Sequence, residues 1–260
     1  MTTPDRFSPA RAASLARWNT VLLSRNRLAF VYALVLPLLP LLLLLTGERG
    51  EESVGASAIV SLFLVVGLFP VFYNVLSQFV SRRDELVLKR MRTGETRDAE
   101  LLVSIAAPGA LCALLISAVA VPIAVALEQS LPINPLLYVA AAVQAVIMFT
   151  AFAYWTAAWT RSAEAAQLTS MPLIILASIG PFGNAFTGTM HDLVTLTPGF
   201  ALTELVRIAW FGFDGPEATA SSLSFAETFG AAAQPLLVIG GWTILAIALA
   251  ARSMRWEPRA

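Results

Sequence analysis

Charge is scarce in this chain: 13% of its 260 residues are Asp, Glu, Lys or Arg, and 17 basic groups balance 17 acidic ones. A formal net charge of zero argues against a nucleic-acid partner, which needs a basic excess. Cysteine and histidine occur once each, as Cys112 and His191. One cysteine excludes an internal disulfide framework, and one histidine beside it excludes a Cys/His metal cluster. No G-x-x-x-x-G-K-[ST] loop is present, so ATP has no P-loop here. Neither H-E-x-x-H nor a Gly-x-Ser-Gly nucleophile turn occurs, and His191-Asp192 has no nucleophile signal near it. The chain reads as non-catalytic, with no cofactor of its own.

Apolar residues are abundant, at 57% of the chain with a mean hydropathy of +0.73. About 20 apolar residues in a helix cross a hydrocarbon core about 30 Å thick. Six runs meet or approach that length: Leu28–Leu45, Gly55–Val80, Leu101–Leu127, Pro135–Thr160, Leu168–Thr187 and Ala231–Ala251. The expected fold is therefore all-α and integral to the membrane, with six transmembrane helices. Residues 1–27 are polar and carry arginines, too long for the basic region of a signal peptide. No small-residue cleavage site follows the first run, which is expected to stay as a span. The expected organisation is an N-terminal segment 1–27, a six-span domain 28–251 and a tail 252–260.

Six spans place both termini on one side. With them fall 15 of the 17 Lys and Arg residues, leaving only Arg49 and Arg207 opposite. Lys and Arg collect on the cytoplasmic side of a plasma membrane, whereas acidic residues do not sort. Both termini and the segment Ser81–Glu100 are thus expected to be cytoplasmic.

Two segments on that side have helical spacing. Between Pro9 and Arg27, Leu15, Trp18, Val21 and Leu22 recur opposite Arg11, Arg17 and Arg25, giving a basic amphipathic helix. It suits either a membrane-surface anchor or a lever that also touches a cytoplasmic partner. The segment Ser81–Glu100 is a charged island, SRRDELVLKRMRTGETRDAE. In it Leu86, Val87, Leu88 and Met91 line one side of a short helix, and Arg83, Lys89, Arg90 and Arg92 occupy the rest. Thr93-Gly94 is the expected stop and Thr96 the expected N-cap of the next helix, with Asp98 and Glu100 at its positive end.

The connection 188–230 lies on the other side. Span five is expected to break at Gly180-Pro181-Phe182-Gly183-Asn184, because Pro lacks a backbone donor. Pro198–Gly212 and Leu223–Ala233 are apolar with a helical period but too short to span, so they are expected to be extracellular re-entrant or interfacial helices. Polar residues within spans are few: Asn74, Gln78, Gln144, Tyr154 and Gln234. Each either lines a pathway or bonds a neighbouring helix. Asn74, Gln78, Gln144 and Tyr154 are the pathway candidates.

In the stretch RRDELVLKRMRTGETRDAELL, the residues Asp84, Glu85, Leu88, Lys89, Arg90, Arg92, Thr93 and Leu101 carry a family pattern. The chain resembles the ABC-2 type permeases, membrane subunits of bacterial ABC exporters related to daunorubicin-resistance and polysaccharide-export systems. Where that family commonly has Gly-Thr, Leu86-Val87 stands here. Gly180-Pro181-Phe182, Leu196-Thr197-Pro198 and Leu205-Val206-Arg207 resemble the family's outer re-entrant region, in which Pro181, Pro198 and Arg207 would take part. Arg255-Trp256-Glu257 resembles its usual ending.

The resemblance implies a connecting helix before span one and a coupling helix within Ser81–Glu100. Arg83, Asp84, Glu85, Leu88, Lys89, Arg90, Met91 and Arg92 would contact a separate ATP-binding subunit, which would bring ATP and Mg. It implies a homodimer, or a heterodimer with a sister permease, among membrane lipids in a bacterial plasma membrane. The cargo would be an amphiphilic drug, a lipid or a lipid-linked glycan moved outward. The competing readings are a membrane scaffold or sensor that transports nothing, and an intramembrane enzyme, which the missing motifs disfavour.

Overall fold

The computed structural model describes residues 7–46, 48–92, 96–162, 164–213, 223–254 and 256, apart from the side chains of Ala29, Arg92 and Asn184. These residues are helical almost throughout, as expected where hydrocarbon forces backbone groups to bond within their own segment. The chain opens with α1 (Pro9–Arg25) and α2 (Arg27–Leu34), then a 3-10 helix, Leu36–Leu45. A long rod follows, made of α3 (Glu52–Val66), a π-helical segment (Gly67–Tyr73) and α4 (Asn74–Asp84). After the short α5 (Val87–Arg92) come α6 (Asp98–Ala126), α7 (Pro135–Trp159) and α8 (Ala166–Ser178). A second 3-10 helix (Gly180–Ala185) leads into α9 (Thr189–Thr195) and α10 (Pro198–Phe211). Last are α11 (Glu227–Ala231) and α12 (Ala233–Ser253).

Among the described residues, four helices are long and apolar enough to cross a membrane: Glu52–Asp84, Asp98–Ala126, Pro135–Trp159 and Glu227–Ser253. That is the composition of a multi-pass membrane protein. The first and fifth expected spans take a different form. Leu28–Leu45 is split into α2 and the 3-10 helix, because Pro37 and Pro40 have no N–H for the i→i−4 ladder. The fifth run ends as α8 at Ser178 and continues as 3-10 from Gly180, at the Gly180-Pro181 pair. Leu223–Ala233, expected to be a separate short helix, instead leads into the last long helix.

One end of the bundle gathers the C-termini of α4, α7 and α12, the N-terminus of α6 and the start of α1. Phe79 near the end of α4 meets Trp256 beyond α12, with ring centroids 5.7 Å apart. At the opposite end, Asn134 N-caps α7 and gives its side-chain N–H to Thr228 Oγ1 at 2.9 Å. There α10 is enclosed by α3, α7, α8 and α12. Its residues Leu205, Val206, Ala209, Trp210 and Phe211 are fully buried. Thr197 N-caps this helix with Pro198 at its first turn, and Gly212 closes it at φ +66°.

Two close approaches fix the middle of the bundle. A Cβ on Gly109 of α6 would stand 2.0 Å from the carbonyl oxygen of Pro70, so only glycine lets α6 lie against the π segment. That segment arises where Pro70 enters the rod without a donor, and the Asn74 N–H reaches back to Phe69 O. Likewise a Cβ on Gly199 would stand 2.0 Å from Ala177 O, which brings the start of α10 onto the end of α8.

Candidate functional site

The charged segment is anchored at both ends. On one side, Arg83 is fully buried at the C-terminus of α7. Its Nη1 donates to Ala157 O at 2.9 Å, and its Nη2 to Thr160 O at 2.7 Å and Arg161 O at 3.3 Å. A guanidinium there satisfies carbonyls that the helix leaves open and meets the negative end of its dipole. Asp84 Oδ1, 3.4 Å from Arg83 Nε, supplies a partial counter-charge.

On the other side, Glu100 is fully buried and binds α1 to the start of α6. Arg11 donates from Nε to Oε2 at 3.0 Å and from Nη2 to Oε1 at 2.8 Å. The Ser8 N–H adds a bond to Oε1 at 2.6 Å, and the Arg97 N–H one to Oε2 at 3.2 Å. The N-cap of α6 is thus Arg97, one residue later than the expected Thr96, because the Glu100 carboxylate reaches back to the Arg97 backbone.

Between these anchors the chain reverses at Leu86, whose φ of +60° is left-handed, and then forms α5. Asp84, Glu85, Lys89 and Arg90 lie at the surface and Met91 is half-buried. Leu88 is fully buried, with its side chain in the main apolar core. Leu88 and Arg83, expected on the docking face, therefore belong to the interior of this chain. A six-residue helix is apolar toward whatever it covers, and here part of that cover is its own bundle. The side chain of Arg92 and the expected stop at Thr93-Gly94 lie outside the described residues.

From the charged segment a relay of polar side chains runs back into the bundle. Arg82 Nη2 donates to Asn19 Oδ1 at 2.8 Å and to Gln78 Oε1 at 3.0 Å. Asn19 donates to Ser104 O on α6 at 2.7 Å, and Gln78 to Asn74 Oδ1 at 2.8 Å. The relay joins α1, α4 and α6 and ends beside the π segment. Asn74 Nδ2 is buried without a hydrogen-bond partner among the described residues.

Asn74 and Gln78 also line a cavity of about 460 Å³, roofed by α1 and α2. The other two pathway candidates lie elsewhere and join helices. Tyr154 donates to Leu102 O at 2.6 Å and is buried, and Gln144 donates to Thr243 Oγ1 at 2.9 Å, tying α7 to α12. At the opposite end Pro181 starts the second 3-10 helix and Pro198 starts α10. Arg207 pairs with Glu204 at 2.9 Å and stands 5.5 Å over the Phe213 ring. Gln234 and Glu204 border a cavity of about 210 Å³ there with His191. The His191 Nδ1 is 3.3 Å from Gly183 O.

Sequence reasoning missed Arg11, Asn19, Arg82, Glu100 and Ser104 as a connected set. One signal was there to use: Asn19 follows Ala12 and Ala16 on the face of α1 turned toward α6, a polar residue on an otherwise apolar stripe. Neither family models nor curated proteins give a match to this chain.

Proposed function

We propose that this chain is the membrane permease subunit of an ATP-driven exporter, powered by separate ATP-binding subunits. The observation that carries the proposal is the anchoring of α5. Arg83 ties its leading side to α7, and Glu100 ties its trailing side to α1 and α6. A push on α5 therefore acts on three helices at once, as a part that receives force must. The chain itself holds no P-loop, so the energy comes from a partner carrying ATP and Mg.

Six spans complete this reading. The α2 and Leu36–Leu45 helices together reach about 30 Å, as do α8 and Gly180–Ala185, given rises of ~1.5 and ~2.0 Å per residue. Tighter 3-10 winding lets a short run cover a full bilayer. The termini and α5 then face the cytoplasm of a bacterial plasma membrane, while α9 and α10 form the re-entrant outer region. Two such chains, or this one and a sister permease, enclose the path for an amphiphilic drug, lipid or lipid-linked glycan. Closure of the ATP-binding subunits shifts the population from inward- to outward-facing. The π segment at Pro70, flanked by the polar relay, is where the rod has its weakest ladder and would bend.

The test is coexpression with the P-loop ATPase encoded nearest to this gene. Lys89→Glu with Arg90→Glu alters only exposed side chains, so the variant should insert normally yet lose the copurifying ATPase. Leu88→Glu buries a charge in the core and should fail to accumulate. Undiminished copurification in the Lys89/Arg90 variant would remove α5 as the contact.

A further inference from the structure

The outward side of α1 carries charge that the rest of the described chain does not balance. No acidic residue stands between Asp5 and Glu48, a stretch that holds Arg11, Arg17, Arg25 and Arg27. Arg11 is neutralised by Glu100. Arg17, Arg25 and Arg27 are exposed and have no hydrogen bond or ion pair among the described residues. Arg25 sits in the last turn of α1, where it also meets the negative end of the helix dipole; Arg17, in mid-helix, has no such use. Beside these cations stand Trp18 and Leu22, 62% and 59% exposed. Trp18, Leu22 and Arg25 succeed one another at about one helical turn, so they form a ridge, turned away from the buried Ala12 and Asn19.

Continuity with the apolar belt decides what covers this ridge. Past Asn26 the chain enters α2 at Arg27, and Leu28, Phe30 and Val31 of that helix are exposed. Cations at the edge of an apolar surface stand level with lipid phosphates, and an indole ring favours the same depth. An anionic leaflet attracts each arginine held near it, whereas a zwitterionic one has no net charge to offer. We infer that the α1 ridge is a docking surface for anionic phospholipid, with Arg17, Arg25 and Arg27 at the phosphates and Trp18 and Leu22 at the acyl chains beneath. Arg17 and Arg25 are ~12 Å apart along the helix axis, so the surface gathers separate headgroups rather than holding one lipid. Because α1 is also bonded to α6 through Glu100 and to α4 through Asn19, lipid charge bears on the seating of both helices. None of this depends on transport or on which end of the bundle is cytoplasmic.

The experiment places the chain in phosphatidylcholine nanodiscs with a trace of phosphatidylglycerol or phosphatidylcholine, each bearing the same photoactivatable diazirine near its glycerol backbone. Cross-linked peptides are mapped by mass spectrometry. Labelling of residues 9–27 is divided by that of residues 129–139, a segment at the opposite end without a charged side chain. At low salt this ratio should be at least roughly fivefold higher for phosphatidylglycerol, and screening at about 1 M salt should bring the two lipids together. Arg17→Gln, Arg25→Gln and Arg27→Gln combined should abolish the preference, while Arg17→Lys, Arg25→Lys and Arg27→Lys combined should keep it. Equal ratios in the unaltered chain at low salt would overturn the docking surface, as would a preference that salt or the Gln variant leaves untouched. Scant labelling of residues 9–27 by both lipids would give the ridge to a protein partner and overturn it as well. Should the Gln variant fail to insert, the salt comparison in the unaltered chain decides.

Discussion

Arg11 and Glu100, 89 residues apart in sequence, form a two-bond ion pair that clamps the first helix to the start of α6. Two backbone N–H groups, from Ser8 and Arg97, complete the shell of the carboxylate. Charge-assisted bonds of this kind are about twice as strong as neutral ones. Glu100→Gln replaces two acceptor sites with a donor pair facing Arg11, so α1 should undock. Amide hydrogen exchange over residues 9–25 is expected to rise roughly tenfold while α7 is unaffected. Unchanged protection of α1 would show that its apolar face alone holds it.

Gly109 and Pro70 set the distance between α6 and the π segment. Gly109→Ala drives a methyl group to within 2.0 Å of a backbone oxygen that cannot rotate away. The expected loss is about 1–3 kcal/mol, offset only in part by better helix propensity. A substitution at Gly240, which has nothing within 4 Å, is the control and should be neutral or slightly stabilising. Thermal unfolding in detergent should separate the two variants clearly.

Leu86 adopts the left-handed conformation at the reversal between α4 and α5. That costs a non-glycine residue roughly 1–2 kcal/mol. Leu86→Gly should therefore be neutral to stabilising, whereas Leu86→Val, β-branched at the same φ, should destabilise by more than about 1 kcal/mol. Both are read from the thermal midpoint. A stabilised Val variant would mean that the reversal is not held in this conformation.

Orientation follows from single cysteines in a Cys112→Ala background. A membrane-impermeant maleimide applied to intact cells should label Met190→Cys on α9 and spare Lys89→Cys on α5; both positions are exposed. Labelling of position 89 from outside would invert the topology.

The four long helices were legible because their apolar runs are continuous and exceed the length of a bilayer. Pro198 marked the start of α10, and Gly180-Pro181 the break after α8, because proline acts locally. The 3-10 form of Leu36–Leu45 was hidden, since an apolar run reads alike in either winding. Arg83 and Leu88 were misdirected for a related reason: spacing tells which residues share a face but not what that face meets. Arg11 and Glu100 were beyond reach, because a contact across 89 residues leaves no local trace. Asn74 and Gln144 looked alike in sequence, yet one borders the cavity and the other bonds Thr243.

ATP bound by a partner is proposed to move the membrane part of this chain. The most direct measurement is the reactivity of Ser77→Cys, in a Cys112→Ala background, toward a soluble maleimide in nanodisc complexes with the ATP-binding subunits. Without nucleotide the cavity under α1 stands open and should react readily. With ADP and vanadate trapped after ATP hydrolysis, α5 is expected to shift and to carry α1 and α4 with it, so the rate should change at least roughly tenfold, a shift of about 1.4 kcal/mol between states. Equal rates in the two states, in complexes shown to hold trapped nucleotide, would contradict the claim.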